Sequence, residues 1–450
     1  MCRVSGGRRP ARLTVIGTGY LGLTHAVCMA SLGHEVLGVD TDEGRVKRAA
    51  GGEVPFFEPG LEPLLRKNLD AGRLAFTTSY EEVGAFADTH FLCVGTPEGP
   101  DGAADLDAVF TAVGSLAPLL TTRCLIVGES TVPVGTARAV QARARAAAPA
   151  GDQVEVAWSP EFIREGTAVR DTLHPDRLVF GVTSGWAEAR LREIYAEPLA
   201  EGTPGLVMDL ETAELVKVSA NAFLATKISF INAMAEMCEA VGADVSRLAE
   251  ALGHDERIGR KSLVPGLGFG GGCLPKDIRA YRAAAAAAGV TSITRLLTEV
   301  DAINLGRRER VVTLARQSAG GSLAGRRVAV LGIAFKPNSD DIRDSPSLDV
   351  CGRLAAEGAD VIVHDPVAMP NAAKAAPGLR YARTVSDAAA GADLVLHLTE
   401  WPEYQAMDPV VLGGAVARRV LIDARCALDA PRWRAAGWTV LALGQAPPPE

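Results

Sequence analysis

The stretch that most constrains the fold runs from Arg12 to Asp40. "RLTVIGTGYLG" is a short β-rich run ending in Gly17, Gly19 and Gly22. An apolar segment follows to Ser31, and "GHEVLGVD" is a second strand ending in Asp40. Strand, glycine turn, helix, strand and acid form the order of a dinucleotide-binding unit. A lone GxGxxG says little. Here it follows a strand and opens a helix, and the acid lies 40 − 17 = 23 positions past the first glycine. The glycines permit a tight turn and a close pyrophosphate, and the helix N-terminus faces the phosphates. Asp40 suits ribose hydroxyls, which favours NAD over NADP. A tight strand–helix turn with no ligand is the competing reading.

Further α/β pattern follows in "THFLCVGTP" (89–97), "RCLIVGESTVPVGT" (123–136) and "VEVAWSPEF" (154–162). Each apolar strand ends in small or polar residues, which in a parallel sheet line the ligand crevice. After Gly205 the pattern becomes helical. "DLETAELVKVSANAFLATKISFINAMAEMCEAVGA" has few breakers and is long for a globular helix, so it is expected to join domains or build a dimer interface. A second α/β region opens at "GRRVAVLGIAFKPNSDD", with a turn at Gly332 and a later acid, Asp365; Ala334 replaces the second turn glycine. That half is expected to be Rossmann-like with a different ligand. The predicted fold is α/β: two doubly wound Rossmann-like domains (1–204 and 319–450) joined by a long central helix and a helical dimerisation region (205–318).

Hydrophobic residues make up 48% of the 450, enough for large cores, and the net charge of −8 argues against nucleic acid as the main partner. The 8 cysteines are scattered, with no CxxC pair and no Cys/His cluster at zinc spacing. No metal is expected, and most of the cysteines read as small buried hydrophobes in a reducing compartment. No apolar run approaches the roughly 20 residues that span a membrane. The expected location is the cytoplasm, with loose tails over the first dozen residues and over "GQAPPPE".

"FGGGCLPKD" (269–277) holds the most specific chemical signal. Pro275 and Asp277 suit the first turn of a helix running to Gly289. Cys273 would then lie just before the positive end of that helix, with Lys276 beside it, and both effects favour thiolate. A packed cysteine on a glycine loop is the alternative. Lys217 and Asn221 are four apart on the long helix and share a face. Spacing alone favours a lysine that snorkels over one aimed into a site. Glu161 and Glu165 in "SPEFIREG" are either a favourably charged helix start or a catalytic pair.

A nicotinamide site combined with an activated cysteine and a lysine has a chemical logic. A thiolate becomes useful when an aldehyde must be oxidised further. It adds to the carbonyl, gives up a second hydride and leaves a thioester for water to cleave. An ammonium stabilises the oxyanions and carboxylates manage the protons.

The motifs "GTGYLG", "VGTP", "STVPVGT", "SPEFIREG", "ELVKVSANAFLATKISFINAMAE", "GFGGGCLPKD" and "GIAFKPNSDDIRDSP" occur in that order from about Leu13 to Ala442. Together they resemble the UDP-glucose/GDP-mannose dehydrogenases. The resemblance implies NAD-dependent four-electron oxidation of a nucleotide-sugar hydroxymethyl, that of UDP-glucose first, to a carboxylate. It implies Cys273 as nucleophile, Lys217 as oxyanion stabiliser and Asn221 as its partner. Asp277 would place Lys217 and activate water, Thr131 and Glu165 would surround a catalytic water, and Glu161 would be the base of thioester hydrolysis. For NAD it implies Gly17, Gly19, Gly22, Asp40, Arg45, Thr96, Thr131, Glu165 and Arg343. For the sugar nucleotide it implies Phe162, Ile163, Glu165, Lys217, Asn221, Phe269, Gly270 and Lys336, with Arg257 reaching across a homodimer. Two departures stand out: Gly272 where the family often has serine, and Cys426 where asparagine is common. dTDP-glucose or GDP-mannose as substrate, a two-electron hydroxyacid dehydrogenase, and a silent binder are the alternatives. The last two leave Cys273 without a use.

Overall fold

The computed structural model describes residues 10–445. Residues 1–9, including Cys2, and 446–450 lie outside it, and with them most of the two expected tails. Gly444 and Gln445 depart from that expectation. The Gly444 N–H donates to Glu239 at 2.8 Å, and Gln445 bridges to Asp244. The chain forms two compact units divided between Ala220 and Asn221.

The first unit carries an eight-stranded sheet: β1 (Arg12–Ile16), β2 (Glu35–Val39), β3 (Leu74–Thr77), β4 (Thr89–Leu92), β5 (Cys124–Gly128), β6 (Val154–Trp158), β7 (Leu178–Gly181) and β8 (Gly205–Met208). The order is β3-β2-β1-β4-β5-β6-β7-β8. All pairs are parallel except β6 with β7. Its first six strands are doubly wound, with the order reversing between β1 and β4. That reversal opens the crevice in which such sheets take ligands. β1, β4 and β5 are almost wholly buried, as expected for strands covered by helices on both faces.

The second unit carries β9 (Arg327–Leu331), β10 (Asp360–His364), β11 (Arg380–Tyr381), β12 (Leu394–His397), β13 (Val420–Asp423) and β14 (Thr439–Ala442). They are ordered β11-β10-β9-β12-β13-β14 and are all parallel. The two sheets repeat one device. Gly17 and Gly332, which follow β1 and β9, have φ of 90° and 97°, a region open to glycine. The N–H of the next residue then donates to an acid just past the neighbouring strand: Thr18 to Asp40 and Ile333 to Asp365, both at 2.8 Å. Asp365 is buried and also accepts from Ala334, Val367, Ala368 and the Trp401 indole, so its lone pairs are committed to the protein.

Three long helices match the sequence pattern: Leu210–Val241, Leu274–Ala287 and Thr291–Ser318. Among the described residues no helix is long and apolar enough to cross a membrane.

Candidate active site

In the first unit, the turn after β1 is shaped for close approach. A Cβ on Gly22 would lie 1.8 Å from the Gly17 carbonyl oxygen, so the helix Tyr20–Ser31 starts tight against the turn. Gly19 faces open space on the same turn. Asp40 takes the N–H of Thr18 at 2.8 Å and its hydroxyl at 3.1 Å, and Arg45 lies 3.6 Å from it. Burial works against the Asp40 charge. The N–H groups of Asp42 and Thr18, the Thr18 hydroxyl and Arg45 outweigh it and hold the carboxyl below the usual range. An open glycine turn at a helix N-terminus and an ionised acid past β2 fit a dinucleotide.

The ends of β4 and β5 are stitched together. The Thr96 hydroxyl donates to the Thr131 carbonyl at 2.8 Å, and that of Ser130 to the Val94 carbonyl at 2.7 Å. Glu161, Phe162, Ile163 and Glu165 lie in the loop between β6 and the helix Ala168–Leu173, so the two acids do not start a helix. Arg164 pins that loop by gripping Asp171 through Nε at 2.8 Å and Nη2 at 2.6 Å. Burial raises the Glu161 pKa, while Lys217 and the N–H groups of Phe162 and Ile163 oppose the rise. The Lys217 ammonium lies 5.5 Å from the Phe162 ring centroid, so its head is aimed at this loop. A cavity of about 30 Å³ beside Glu161, Phe162 and Tyr195 has room for a water.

In the second unit, Cys273 is the exposed N-cap residue of the helix Leu274–Ala287, with Pro275 in the first turn. Asp277 is buried in that turn. It accepts the Asn221 amide at 2.6 Å and the Lys276 ammonium at 2.7 Å. Lys276 thus forms an ion pair with Asp277. Protein fills the room that the missing side chains of the glycines before Cys273 leave. A Cβ on Gly270 would lie 2.3 Å from the Asp344 carbonyl oxygen, and one on Gly272 would lie 2.3 Å from the Arg343 guanidinium carbon. Arg343 therefore lies over the residue preceding the thiol, and it also pairs with Asp341 at 2.6 Å. Phe269 is held through its backbone by both ends of the Asn304 amide, at 2.8 and 3.0 Å. The Lys336 ammonium sits 5.3 Å from the Phe335 ring centroid. Arg257 is highly exposed and paired with Asp255 at 2.6 Å.

Several supporting residues gave no sequence signal. Buried Glu58 ties the loop after β6 to the first helix by accepting the N–H groups of Gly166 at 2.6 Å and Ala168 at 2.8 Å, and the Tyr20 hydroxyl. Arg425 ties the glycine loop to the second sheet, donating to the carbonyls of Gly268 at 3.0 Å and Leu398 at 2.7 Å. Buried His25 and Glu129 sit beside Glu161. Each depends on a partner far away in sequence, which no local spacing reveals.

Models of one family match the chain in three segments: its NAD binding domain over residues 11–199, its central domain over 211–305 and its UDP binding domain over 329–430. The chain belongs to the UDP-glucose/GDP-mannose dehydrogenase family. It is an NAD-dependent oxidoreductase of that family. It is 42% identical to the UDP-glucose 6-dehydrogenase of Rhizobium meliloti (strain 1021), over 92% of this chain and 95% of that one. It is 40% identical to the UDP-glucose 6-dehydrogenase TuaD of Bacillus subtilis (strain 168), over 96% and 93%. A UDP-glucose dehydrogenase structure from the archaeon Pyrobaculum islandicum superposes with a TM-score of 0.91 at 38% identity, covering 99% of this chain and all of that one.

Proposed function

We propose that the chain is a UDP-glucose 6-dehydrogenase. It oxidises the C6 hydroxymethyl of UDP-glucose to the carboxylate of UDP-glucuronate in the cytoplasm. The observation that carries this reading is Cys273 at the exposed N-terminus of a helix, one turn from a buried Asp277 that is hydrogen-bonded to Asn221. A simple alcohol dehydrogenase has no use for a thiol there, whereas an alcohol-to-acid oxidation does.

NAD+, when bound, accepts one hydride in each of the two oxidations. Gly17, Gly19, Gly22, Asp40, Arg45, Thr96, Thr131, Glu165 and Arg343 hold it. In the first oxidation the C6 hydroxyl proton passes to a water placed by Thr131 and Glu165, and the Lys217 ammonium stabilises the developing oxyanion. The Cys273 thiolate then adds to the aldehyde carbon, and the resulting thiohemiacetal is oxidised to a thioester. Glu161 takes a proton from the water that attacks this thioester. The C–S bond breaks and the thiolate is regenerated. Asn221 and Asp277 position Lys217. Phe162, Ile163, Phe269, Gly270 and Lys336 bind the nucleotide sugar, and Arg257 reaches across a homodimer. The work is divided among an NAD-binding domain (1–204), a central helical domain (205–318) and a C-terminal nucleotide-sugar domain (319–450). The names of the relatives support UDP-glucose as the substrate.

The test is the ratio of NADH formed to UDP-glucose consumed, with GDP-mannose and dTDP-glucose run alongside. Two NADH per UDP-glucose and an acidic product are expected. A ratio of one overturns the thioester chemistry, and turnover only with another nucleotide sugar overturns the substrate. No turnover with any of the three points to another sugar or to a silent binder.

A further inference from the structure

Lys227 lies near the middle of the long helix Leu210–Val241, and the mechanism gives it no part. It is half-buried, and all three donors of its ammonium are used. They go to main-chain carbonyls: Ile258 at 2.9 Å, Gly259 at 3.2 Å and Lys261 at 2.6 Å. Carbonyl oxygens that converge on one point repel one another until a cation or donor satisfies them. The three belong to a turn several residues past the helix Val245–Gly253, so Lys227 holds the turn and does not cap that helix.

The turn is tightly wound. The N–H groups of Ile258 and Gly259 both donate to the Asp255 carbonyl, at 2.9 and 2.8 Å. Gly259 and Ser262 have φ of 71° and 66°. For a serine that conformation is unfavourable and needs holding. Beyond the turn the chain stays with the helix. Leu263 is buried in the apolar cluster that contains Ile231, and the Gly266 N–H donates to the Asn232 side-chain oxygen at 2.9 Å.

Arg257 is the residue this turn displays. Its side chain is 88% exposed, and Asp255 accepts both its backbone N–H, at 3.0 Å, and its guanidinium, at 2.6 Å. The arginine is aimed by its own turn, and the turn by Lys227. Lys227 also shares a helix face with Phe223, four positions before it, and Phe230, three after it, and both are exposed. An apolar face of that kind suits a second copy of the chain. The turn that carries Arg257 is therefore tied to the face where that copy docks. We propose that Lys227 is a positioning residue for Arg257: its clamp on three carbonyls fixes where the guanidinium emerges toward the sugar nucleotide of the neighbouring copy. This rests on the reading of Arg257 as a residue that reaches across a homodimer.

The test is steady-state kinetics of the full chain with NAD+ and UDP-glucose. Lys227→Met keeps the length of the side chain and removes its charge and donors. KM for UDP-glucose should rise about tenfold, with kcat and KM for NAD+ within about twofold of the parent. Lys227→Gln keeps two N–H donors and should raise the same KM about threefold, which decides the matter if the methionine variant folds poorly. In an Arg257→Ala background Lys227→Met should add less than about twofold, because the arginine it positions is gone. A general loosening of the fold would instead lower kcat, raise KM for NAD+ and add its full effect to that of Arg257→Ala. An unchanged KM for UDP-glucose in both Lys227 variants, or a full effect in the Arg257→Ala background, overturns the positioning role while leaving Arg257 as a substrate residue. A parental KM in Arg257→Ala alone overturns the proposal through the reading it rests on. Sedimentation of Lys227→Met as a monomer, where the parent is a dimer, also overturns it, since the loss would then be that of the interface.

Discussion

The side-chain amide of Asn221 donates to Oδ2 of the buried Asp277 at 2.6 Å. This bond fixes the orientation of the carboxylate in the first turn of the helix that Cys273 begins. Asp277→Asn keeps the size and removes the charge. Lys276, its other partner, is part-exposed and can turn to solvent, so the fold should survive. We expect kcat to fall about 100-fold. Affinity for NAD, assigned to the Gly17 turn and Asp40, should be unchanged by titration calorimetry.

Cys273→Ser separates chemistry from stability. Serine is a better N-cap than cysteine because its hydroxyl accepts a helix N–H, and the Cys273 side chain makes no such cap. The variant should be as stable as the parent or up to about 1 kcal/mol more stable. It should still bind NAD yet stall at a covalent or aldehyde stage. Calorimetry and a single-turnover count of NADH check both halves. Full steady turnover would rule out the thiolate mechanism.

How much of this was legible in the sequence follows from how local each signal is. Gly17, Asp40 and Cys273 announce themselves because a turn, a strand end and a helix start are set by neighbours within a few residues. The long helix Leu210–Val241 was equally plain from an unbroken pattern. The short strands β3, β7, β8, β11 and β14 were not, since two to four residues carry too little periodicity and gain their structure from pairing. Within the site, the tie of Lys276 to Asp277 was not legible, because it depends on the burial of that carboxylate in the folded chain.

Cys426 occupies a position its side chain does not suit. Its φ is 51°, in the left-handed region where asparagine and glycine are tolerated and other residues are strained. Cys426→Asn should therefore stabilise the chain by about 1 kcal/mol and raise Tm by about 2–4 °C, with turnover unchanged. A loss of stability would mean that the thiol contact to the Leu443 carbonyl at 3.1 Å outweighs the backbone strain.

The pH dependence has a definite sign. Burial raises the Glu161 pKa against the pull of Lys217. A base works only when ionised, so kcat should fall as pH drops through a value above the ordinary glutamate figure of about 4.3. Lys217→Met removes the opposing cation. It should lower kcat by about 100-fold and carry the residual acid limb to still higher pH. Rate profiles over roughly pH 5 to 9 for both proteins check the direction. A limb that moves down instead would mean that Lys217 does not act on Glu161.

The second half of the long helix turns two faces outward and inward with different chemistry. Ala222, Ala225, Ser229 and Asn232 are buried, whereas Phe223, Phe230 and Met237 are 66%, 49% and 57% exposed. The exposed three recur every seven residues, so they drift only about 20° per step and form one stripe. Val241 extends it at 61% exposure. Large apolar groups aligned in this way lose free energy when water is removed, at about 25 cal/mol per Å². A second copy laid on the stripe satisfies both helices by the same contacts. Phe230→Asp combined with Met237→Asp should convert a dimer into a monomer in analytical ultracentrifugation, with the circular dichroism of the helices retained. Activity should fall as well, because Arg257 is assigned to the neighbouring substrate. A wild-type chain that sediments as a monomer at micromolar concentration would refute the dimer outright.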